Sequence, residues 1–426
     1  MISRIHVHYV GGSAPVHVGD LASYHGGIVF EYDPSFVASG LQLSPFALPT
    51  TTLGLIAGPD PRGSLEGLHG LFADSLPDGW GRLLMDRAFA AEGIDRTQIT
   101  PLMRLTWLGS RTMGALTYEP ATTPGDAPLE VLDLAEMAAA AQRVYRGRAE
   151  TVLPSLIRNG GSPGGARPKI LAGVHLDFHD IVTGDTALPA GYRHWLIKFT
   201  TPTTGHDEGQ VEAAYADMAR ASGIRMPDTH LFTVGKRAYF GVARFDRLAE
   251  DGDRRRHVQT LAGLLNVGLD AAVDYSALIR VTTQLTRNHV AVCEVVRRMI
   301  FNILAHNRDD HARNHAFVME PDGTWDLTPA YDIGFTDGPS GEHFLMVAGE
   351  GRAPTLAHVQ TVAAIGGVGE TEVRLMLDEV RAAVAAWDSV AKRYEVRPAR
   401  RRSIRDTLTS VASTFGAASP PRARRR

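Results

Sequence analysis

The sequence is short of several things, and each shortage narrows what the protein can be. It carries one cysteine, Cys293, in 426 residues, which excludes an internal disulfide framework and suits a reducing compartment. No stretch approaches the roughly 18 to 20 uninterrupted apolar residues of a membrane span. The opening MISRIHVHYVGG also lacks the apolar core of a secretory signal, so a cytoplasmic protein without membrane contact is expected. Charge excess is small, with 44 basic against 47 acidic residues and a net charge of -3. There is thus no global pull toward nucleic acid or anionic lipid, and any such contact must be local. Lysine is scarce: Lys169, Lys198, Lys236 and Lys392 are the only four among the 44 basic residues. Arginine serves wherever positive charge alone is enough, so each lysine invites a specific reason. Nothing matches a Walker A loop, a dinucleotide-binding GxGxxG after a strand or a metalloprotease HExxH, and no internal repeat is evident.

What is present is ample for folding, since 44% of the residues are hydrophobic and the length suits two or three domains. The runs RIHVHYV and GIVFEY, separated by Gly, Asp and Pro turn signals, predict a small N-terminal sheet. In LHGLFADSLPDGWGRLLMDRAFAAEGID the residues Trp80, Leu83, Leu84 and Ala88 recur at helical spacing, with Asp78 placed to cap the helix and Gly93 to end it. EPATTPGDAPLE, near 119–130, reads as a linker, and an Ala-rich helix over about 129–146 follows it. Beyond it come a glycine loop, a loop-like VHLDFHDIVTGDTALPAGY, a β run HWLIKFT, a helix EGQVEAAYADMARASG closed by Gly223, and strands HLFTV and AYFGVARF. That succession predicts a mixed α/β lobe. After residue 258 the pattern turns helical, with Val292, Val295, Val296, Met299 and Ile303 forming one apolar stripe. The final arginine-rich stretch is expected to be disordered.

Three constellations carry chemistry. In NGGSPGGARPK, consecutive glycines let backbone amides approach an anion, and Ser162 and Lys169 suit phosphate contact, although an ordinary flexible turn has the same composition. In HWLIKFT, Lys198 interrupts an apolar run; inside a half-buried strand its ammonium must snorkel or pair, and Glu212 on the following helix is a candidate partner. A strand lysine paired with a helix glutamate positions ATP phosphates in kinases, while a lysine facing solvent at a strand edge would be the plainer alternative. The third is HNRDDHARNH, residues 306–315. Asp309 and Asn314 have the Asp-x-x-x-x-Asn spacing of a kinase catalytic loop, and Asp332-Ile333-Gly334 copies the shape of the Asp-Phe-Gly magnesium motif. FVMEPDGTWDLT between them predicts a hairpin that returns Asp332 beside Asn314. His306, His311 and His315 with the two aspartates could instead ligate a metal, or the stretch could be a capped polar helix end.

With these parts in order, the chain resembles the HipA family of serine/threonine kinase toxins from bacterial toxin-antitoxin modules, through SLPDGWGRLL, GGARPK, GVARFDR, RDDHARN and LTPAYD. The resemblance implies an α+β, bilobal protein-kinase-like fold with a mixed α/β N-lobe, a mostly α C-lobe and a small α/β N-terminal domain. The implied plan is 1–119 for that domain, 120–150 for linker and helix, 151–395 for the catalytic core and 396–426 for the tail. Asp309 is then expected as catalytic base, and Asn314 and Asp332 as ligands of Mg2+. Lys198, Lys169, Gly164, Gly165 and Ala166 would hold ATP phosphates, with Glu212 as the ion-pair partner. Arg244, Phe245 and Asp246 would belong to the adenine hinge, His311 would support the loop beside the nucleotide, and Ser162 would be an autophosphorylation site. Three positions depart from the best-known member: Ala243 replaces an acidic residue, Asp310 a glycine and Arg313 a lysine. Implied partners are a protein substrate, which in the family is often an aminoacyl-tRNA synthetase, and a helix-turn-helix antitoxin of the HipB type. DNA contact would run through the antitoxin, aided by the basic tail. A silent kinase-like scaffold and a small-molecule kinase remain the alternatives.

Overall fold

The computed structural model describes residues 3–122, 128–147, 152–160, 165–184, 187–201, 205–248 and 254–415. The chain forms two compact units, one of Met1–Gly209, Pro227–Asp270 and Ala316–Thr328, the other of Gln210–Met226, Ala271–His315 and Pro329–Arg426.

The first unit holds the expected N-terminal sheet. Its strands are β1 (Arg4–Tyr9), β2 (Val16–Tyr24), β3 (Gly27–Tyr32), β4 (Ile56–Ala57) and β5 (Leu116–Glu119), all antiparallel in the order β4-β3-β2-β1-β5. RIHVHY alternates as a half-buried strand should: Ile5, Val7 and Tyr9 enter the core while Arg4 and His6 face out. Phe30, Phe36, Phe72 and Trp107 complete that core with them.

A second antiparallel sheet in the same unit contains β6 (Lys169–His175), β7 (Ile181–Thr183), β8 (Tyr192–Lys198), β9 (Thr229–Val234) and β10 (Arg237–Ala243), ordered β7-β6-β8-β10-β9. Here the sequence expectation needs correcting, because β6 and β7 fall where glycine loop and connecting loop were expected. KILAGVH is buried on both faces from Lys169 to Val174, so it lacks the alternation that marks a half-exposed strand. Gly173 within it is required by close approach, since an added Cβ would lie 2.4 Å from the Leu188 side chain. The hairpin expected from FVMEPDGTWDLT is present as Ala316–Met319 paired with Trp325–Leu327, with Gly323 in the turn at φ 85°.

The second unit is mostly helical. In His289–Leu304 the residues Val292, Val295, Val296, Met299 and Ile303 are all buried, as their spacing predicts. Tyr275–Thr286, Leu356–Ile365, Glu370–Ala385 and Trp387–Arg393 add further helices. The tail is not the disordered segment its composition suggests, because Pro398–Phe415 is a helix that buries Ile404, Leu408 and Phe415. Trp387 Nε1 donates to the Arg401 carbonyl at 3.0 Å, and Arg401 and Arg405 pair with Asp388 at 3.4 and 3.5 Å. Arginine is a good helix former, and one sparse apolar stripe among arginines is enough to dock the helix. Residues 416–426 lie outside the described residues. Among those described, no helix is long and apolar enough to cross a membrane.

Candidate active site

Two of the four lysines meet in the second sheet. Lys169 opens β6, Lys198 closes β8, and the two are directly opposed in register. Both are buried, at 4% and 8% exposure. Like charges directly opposed across two strands repel, and burial removes the water that would screen them. Lys198 Nζ lies 5.7 Å from the Phe240 ring centre. Gly165 has φ 79°, a conformation that favours glycine, and an added Cβ would lie 2.6 Å from Lys169 Nζ.

The end of the glycine loop is anchored by the start of the helix Gly79–Ala91. Gly165 N donates to Asp78 Oδ2 at 3.2 Å, Trp80 N donates to the Gly165 carbonyl at 3.4 Å, and Trp80 Nε1 donates to the Lys169 carbonyl at 2.9 Å. Gly79 packs so closely on Ala166 that an added Cβ would sit 3.3 Å from the Ala166 Cα. Asp78, expected as a side-chain cap, makes no cap hydrogen bond and turns to the loop instead. Its role, and that of Trp80, could not be read from the sequence, where only the local helix signal was visible. Gly164 and Ser162 lie outside the described residues.

In the segment expected to form the hinge, Asp246 is fully buried. It accepts from Arg244 Nε at 2.9 Å and Nη2 at 2.7 Å, from Arg247 Nη1 at 2.8 Å and from Gly114 N at 2.8 Å. Burial alone would raise its pKa, but the two guanidiniums overcome that and hold the carboxyl well below the usual range. The Asp246 side chain is thereby committed to tying the hinge to residues 112–114, where Arg244 and Arg247 also reach the Thr112 carbonyl. The Arg244 and Asp246 side chains are therefore committed to each other and to this loop. Glu212 is buried on the helix Glu208–Ala221 and belongs to the second unit, whereas Lys198 belongs to the first.

In the second unit, the loop 306–315 gives its two adjacent aspartates opposite environments. Asp310 is buried and accepts from Tyr275 Oη at 2.9 Å, Phe344 N at 3.0 Å and Leu345 N at 3.4 Å, with His343 Nδ1 at 3.0 Å. The Asp309 side chain is 43% exposed. Asn314 Nδ2 donates to the Asp309 carbonyl at 2.7 Å, which turns the amide oxygen of Asn314 away from that bond and leaves it available as a donor atom for a cation. A chain of hydrogen bonds runs from Asn307 Nδ2 to Asn302 Oδ1, and from Asn302 Nδ2 to Tyr275 Oη, each at 2.9 Å. Burial and the neighbouring Asp310 push the Tyr275 phenol well above its usual pKa, so it stays a donor. The sequence pattern singled out none of Tyr275, Asn302, Asn307 or His343.

Asn314 and Asp332 are brought together as expected. Both line one small cavity of about 10 Å3, with Asn302, Asn307, Asp310 and Tyr331 among the remaining walls, and Tyr331 Oη donates to the Arg313 carbonyl at 2.7 Å. That volume suits one water-sized occupant. The buried Asn307 Oδ1 has no hydrogen-bond partner, so the cavity offers amide and carboxylate oxygens, the hard donors Mg2+ takes. Arg298, also in its wall, is neutralised by Glu294 one turn back. Asp332 holds φ 54°, a left-handed conformation that costs a non-glycine residue energy and clusters at functional sites.

The three histidines do not form a metal cage. His306 Nε2 pairs with Asp337 at 3.1 Å. His311 packs edge-on against Phe344, and its Nε2 stands 3.8 Å from Asp309, beyond a hydrogen bond. His315 is buried, which pushes its pKa down to about 4 and keeps it neutral. Among the described residues they do not belong to any convergent group of histidine, cysteine and carboxylate donors.

Comparison with known proteins gives the family and the fold. The family model of the HipA N-terminal domain matches residues 13–119 and that of the HipA-like C-terminal domain matches 161–387, more than half of the chain. A Haemophilus influenzae protein described as a "Putative kinase" is 32% identical over 137 residues, 29% of this chain. That match covers 39% of the relative's length. The structure of the Shewanella oneidensis MR-1 toxin-antitoxin system HipA, with HipB and its operator DNA, superposes with a TM-score of 0.68 at 17% identity, covering 97% of this chain and all of that one. At that identity the likeness establishes the fold, which is the α+β, kinase-like fold expected. A Helicobacter pylori proinflammatory kinase, CtkA, has a TM-score of 0.38 at 11% identity over 59% of this chain.

Proposed function

The chain belongs to the HipA family, and from that membership and the residues above we propose that it is an ATP-dependent serine/threonine protein kinase, the toxin of a toxin-antitoxin module. The observation that carries the reading is the division of labour between the adjacent aspartates. Asp310 spends its carboxylate on internal hydrogen bonds, while the Asp309 side chain is 43% exposed and its backbone carbonyl is held by Asn314.

In this proposal Asp309 orients the substrate hydroxyl and takes its proton as the γ-phosphoryl group leaves ATP. Asn314 and Asp332 hold Mg2+, which when bound neutralises charge developing on the phosphates. The opposed ammoniums of Lys169 and Lys198 serve the phosphates, and Glu212 is the candidate partner of Lys198. Gly165 and Ala166 present backbone to the same groups, held from behind by Asp78 and Trp80. His311 shapes the loop through its packing. The protein target could be an aminoacyl-tRNA synthetase, and the partner a helix-turn-helix antitoxin of the HipB type bound to operator DNA, like the assembly of the Shewanella relative.

The experiment is incubation of the purified protein with labelled Mg-ATP and a cell lysate. Label in discrete protein bands supports the proposal. Label confined to small molecules would overturn it in favour of a small-molecule kinase, and no turnover with intact ATP binding would leave a silent scaffold. Ser162 is proposed as an autophosphorylation site: its phosphate would repel ATP phosphates from the loop and silence the enzyme. Mass spectrometry of active protein that finds no phosphate on Ser162 after incubation with Mg-ATP would contradict this.

A further inference from the structure

We infer that His289, Cys293 and Glu372 form a binding site for a zinc-like divalent transition-metal ion, separate from the loop 306–315. His289 and Cys293 stand one turn apart on the helix His289–Leu304 and so share a face. Glu372 lies in the first turn of Glu370–Ala385. Three donor atoms converge: His289 Nε2 is 3.4 Å from Glu372 Oε1 and 3.4 Å from Cys293 Sγ, and Sγ is 4.0 Å from Oε1. With ordinary bond lengths, a tetrahedral zinc ion separates its N and O ligands by about 3.4 Å and sulfur from either by about 3.6 Å. The triangle is therefore nearly one face of that tetrahedron, and only its sulfur–oxygen edge must contract.

The surroundings fit the same assignment. The second oxygen of Glu372 accepts from Gly369 N at 2.9 Å, the outer-shell bond that orients a metal-binding carboxylate. His289 and Glu372 are 53% and 46% exposed, which leaves the fourth vertex open to water. A hydrogen-bonded relay of the cysteine–histidine–carboxylate type would use opposite ring nitrogens. Here one nitrogen, Nε2, faces both the thiol and the carboxylate, so a single proton cannot serve both, whereas a central cation serves all three. The other convergent group among the described residues, His6, His17 and Asp20, differs in kind. Both histidines approach one oxygen of Asp20 at hydrogen-bond lengths of 2.6 and 3.0 Å, and Arg4 takes the other oxygen.

Thiolate with imidazole and carboxylate selects zinc over magnesium or calcium. On binding, the sulfur–metal bond replaces the S–H bond and the Cys293 proton leaves to solvent. The ion would fasten the helix His289–Leu304, which runs into the loop 306–315, to Glu370–Ala385.

The test is a Co2+ titration of the full-length, chelator-stripped protein under anaerobic conditions. The expected result is a thiolate-to-cobalt charge-transfer band in the near ultraviolet with tetrahedral visible bands, saturating at about one ion per chain and bleached by Zn2+. Co2+ at the oxygen donors of Asn314 and Asp332 would give no thiolate band. Cys293→Ser should abolish the band. Glu372→Gln should weaken Co2+ binding roughly tenfold or more, the scale outer-shell partners alone command. A folded wild-type protein, by circular dichroism, that shows no thiolate band would overturn the assignment, as would a band that survives in Cys293→Ser.

Discussion

Replacing Asp310 by alanine separates the two neighbouring aspartates experimentally. Its buried carboxylate meets Tyr275 Oη at 2.9 Å, His343 Nδ1 at 3.0 Å and Phe344 N at 3.0 Å, with a longer contact to Leu345 N at 3.4 Å. Alanine leaves three well-formed donors without an acceptor. At about 1–3 kcal/mol for each buried donor stranded, the loss should reach about 3–9 kcal/mol, a large part of the ~5–15 kcal/mol by which proteins are usually stable. Asp309→Ala removes a side chain that is 43% exposed and should cost clearly less than Asp310→Ala. Urea unfolding followed by circular dichroism compares the two variants directly. Equal stability losses would refute the division of roles, because Asp310 would then carry no more structural load than Asp309.

Other expectations follow from the same structure. Lys169→Met and Lys198→Met should each weaken Mg-ATP binding by about tenfold or more, since a charge-assisted contact to phosphate contributes about 1.5–3 kcal/mol; calorimetry that finds unchanged affinity would remove the lysines from the site. Asp246→Asn breaks a buried ion-pair cluster and should destabilise the protein by about 3–5 kcal/mol in denaturant melts, and a neutral result would contradict the anchoring role given to that carboxylate. His257, buried with Nε2 2.9 Å from the Leu43 carbonyl, has its pKa pushed down by burial to about 4, from 6.5. The unfolded chain therefore binds a proton that the folded chain refuses. Stability from this group is intact above pH ~6.5 and falls toward pH ~4, by about 3 kcal/mol in total. His257→Gln should flatten the stability curve across that window by about one proton, and an unchanged slope would show that His257 titrates normally.

Much of this was legible in the sequence for physical reasons that can be named. The alternation of RIHVHY and the stripe Val292, Val295, Val296, Met299 and Ile303 report faces that contact one core, and the structure follows both. The spacing of Asp309, Asn314 and Asp332 was visible because loop chemistry is written in residue type and offset, and the hairpin 316–327 that returns Asp332 toward Asn314 carried its own turn signal. β6 was missed because a strand buried on both faces has no period to detect. The helix Pro398–Phe415 was missed because arginine content outweighed three widely spaced apolar residues. The roles of Asp78, Trp80, Tyr275, Asn302 and His343 were invisible for a different reason. Each acts through contacts remote in sequence, such as Asp78 with Gly165 and His343 with Asp310, and single-sequence patterns contain no record of such pairings.

The most direct measurement of the central claim is phosphoryl transfer by the Asp309→Gln variant beside wild type, with γ-labelled Mg-ATP, a lysate as substrate source, and nucleotide binding measured on the same preparations. The account predicts that wild type labels protein, and that Asp309→Gln loses nearly all of that label while ATP binding stays measurable. Retained turnover in the variant would contradict it.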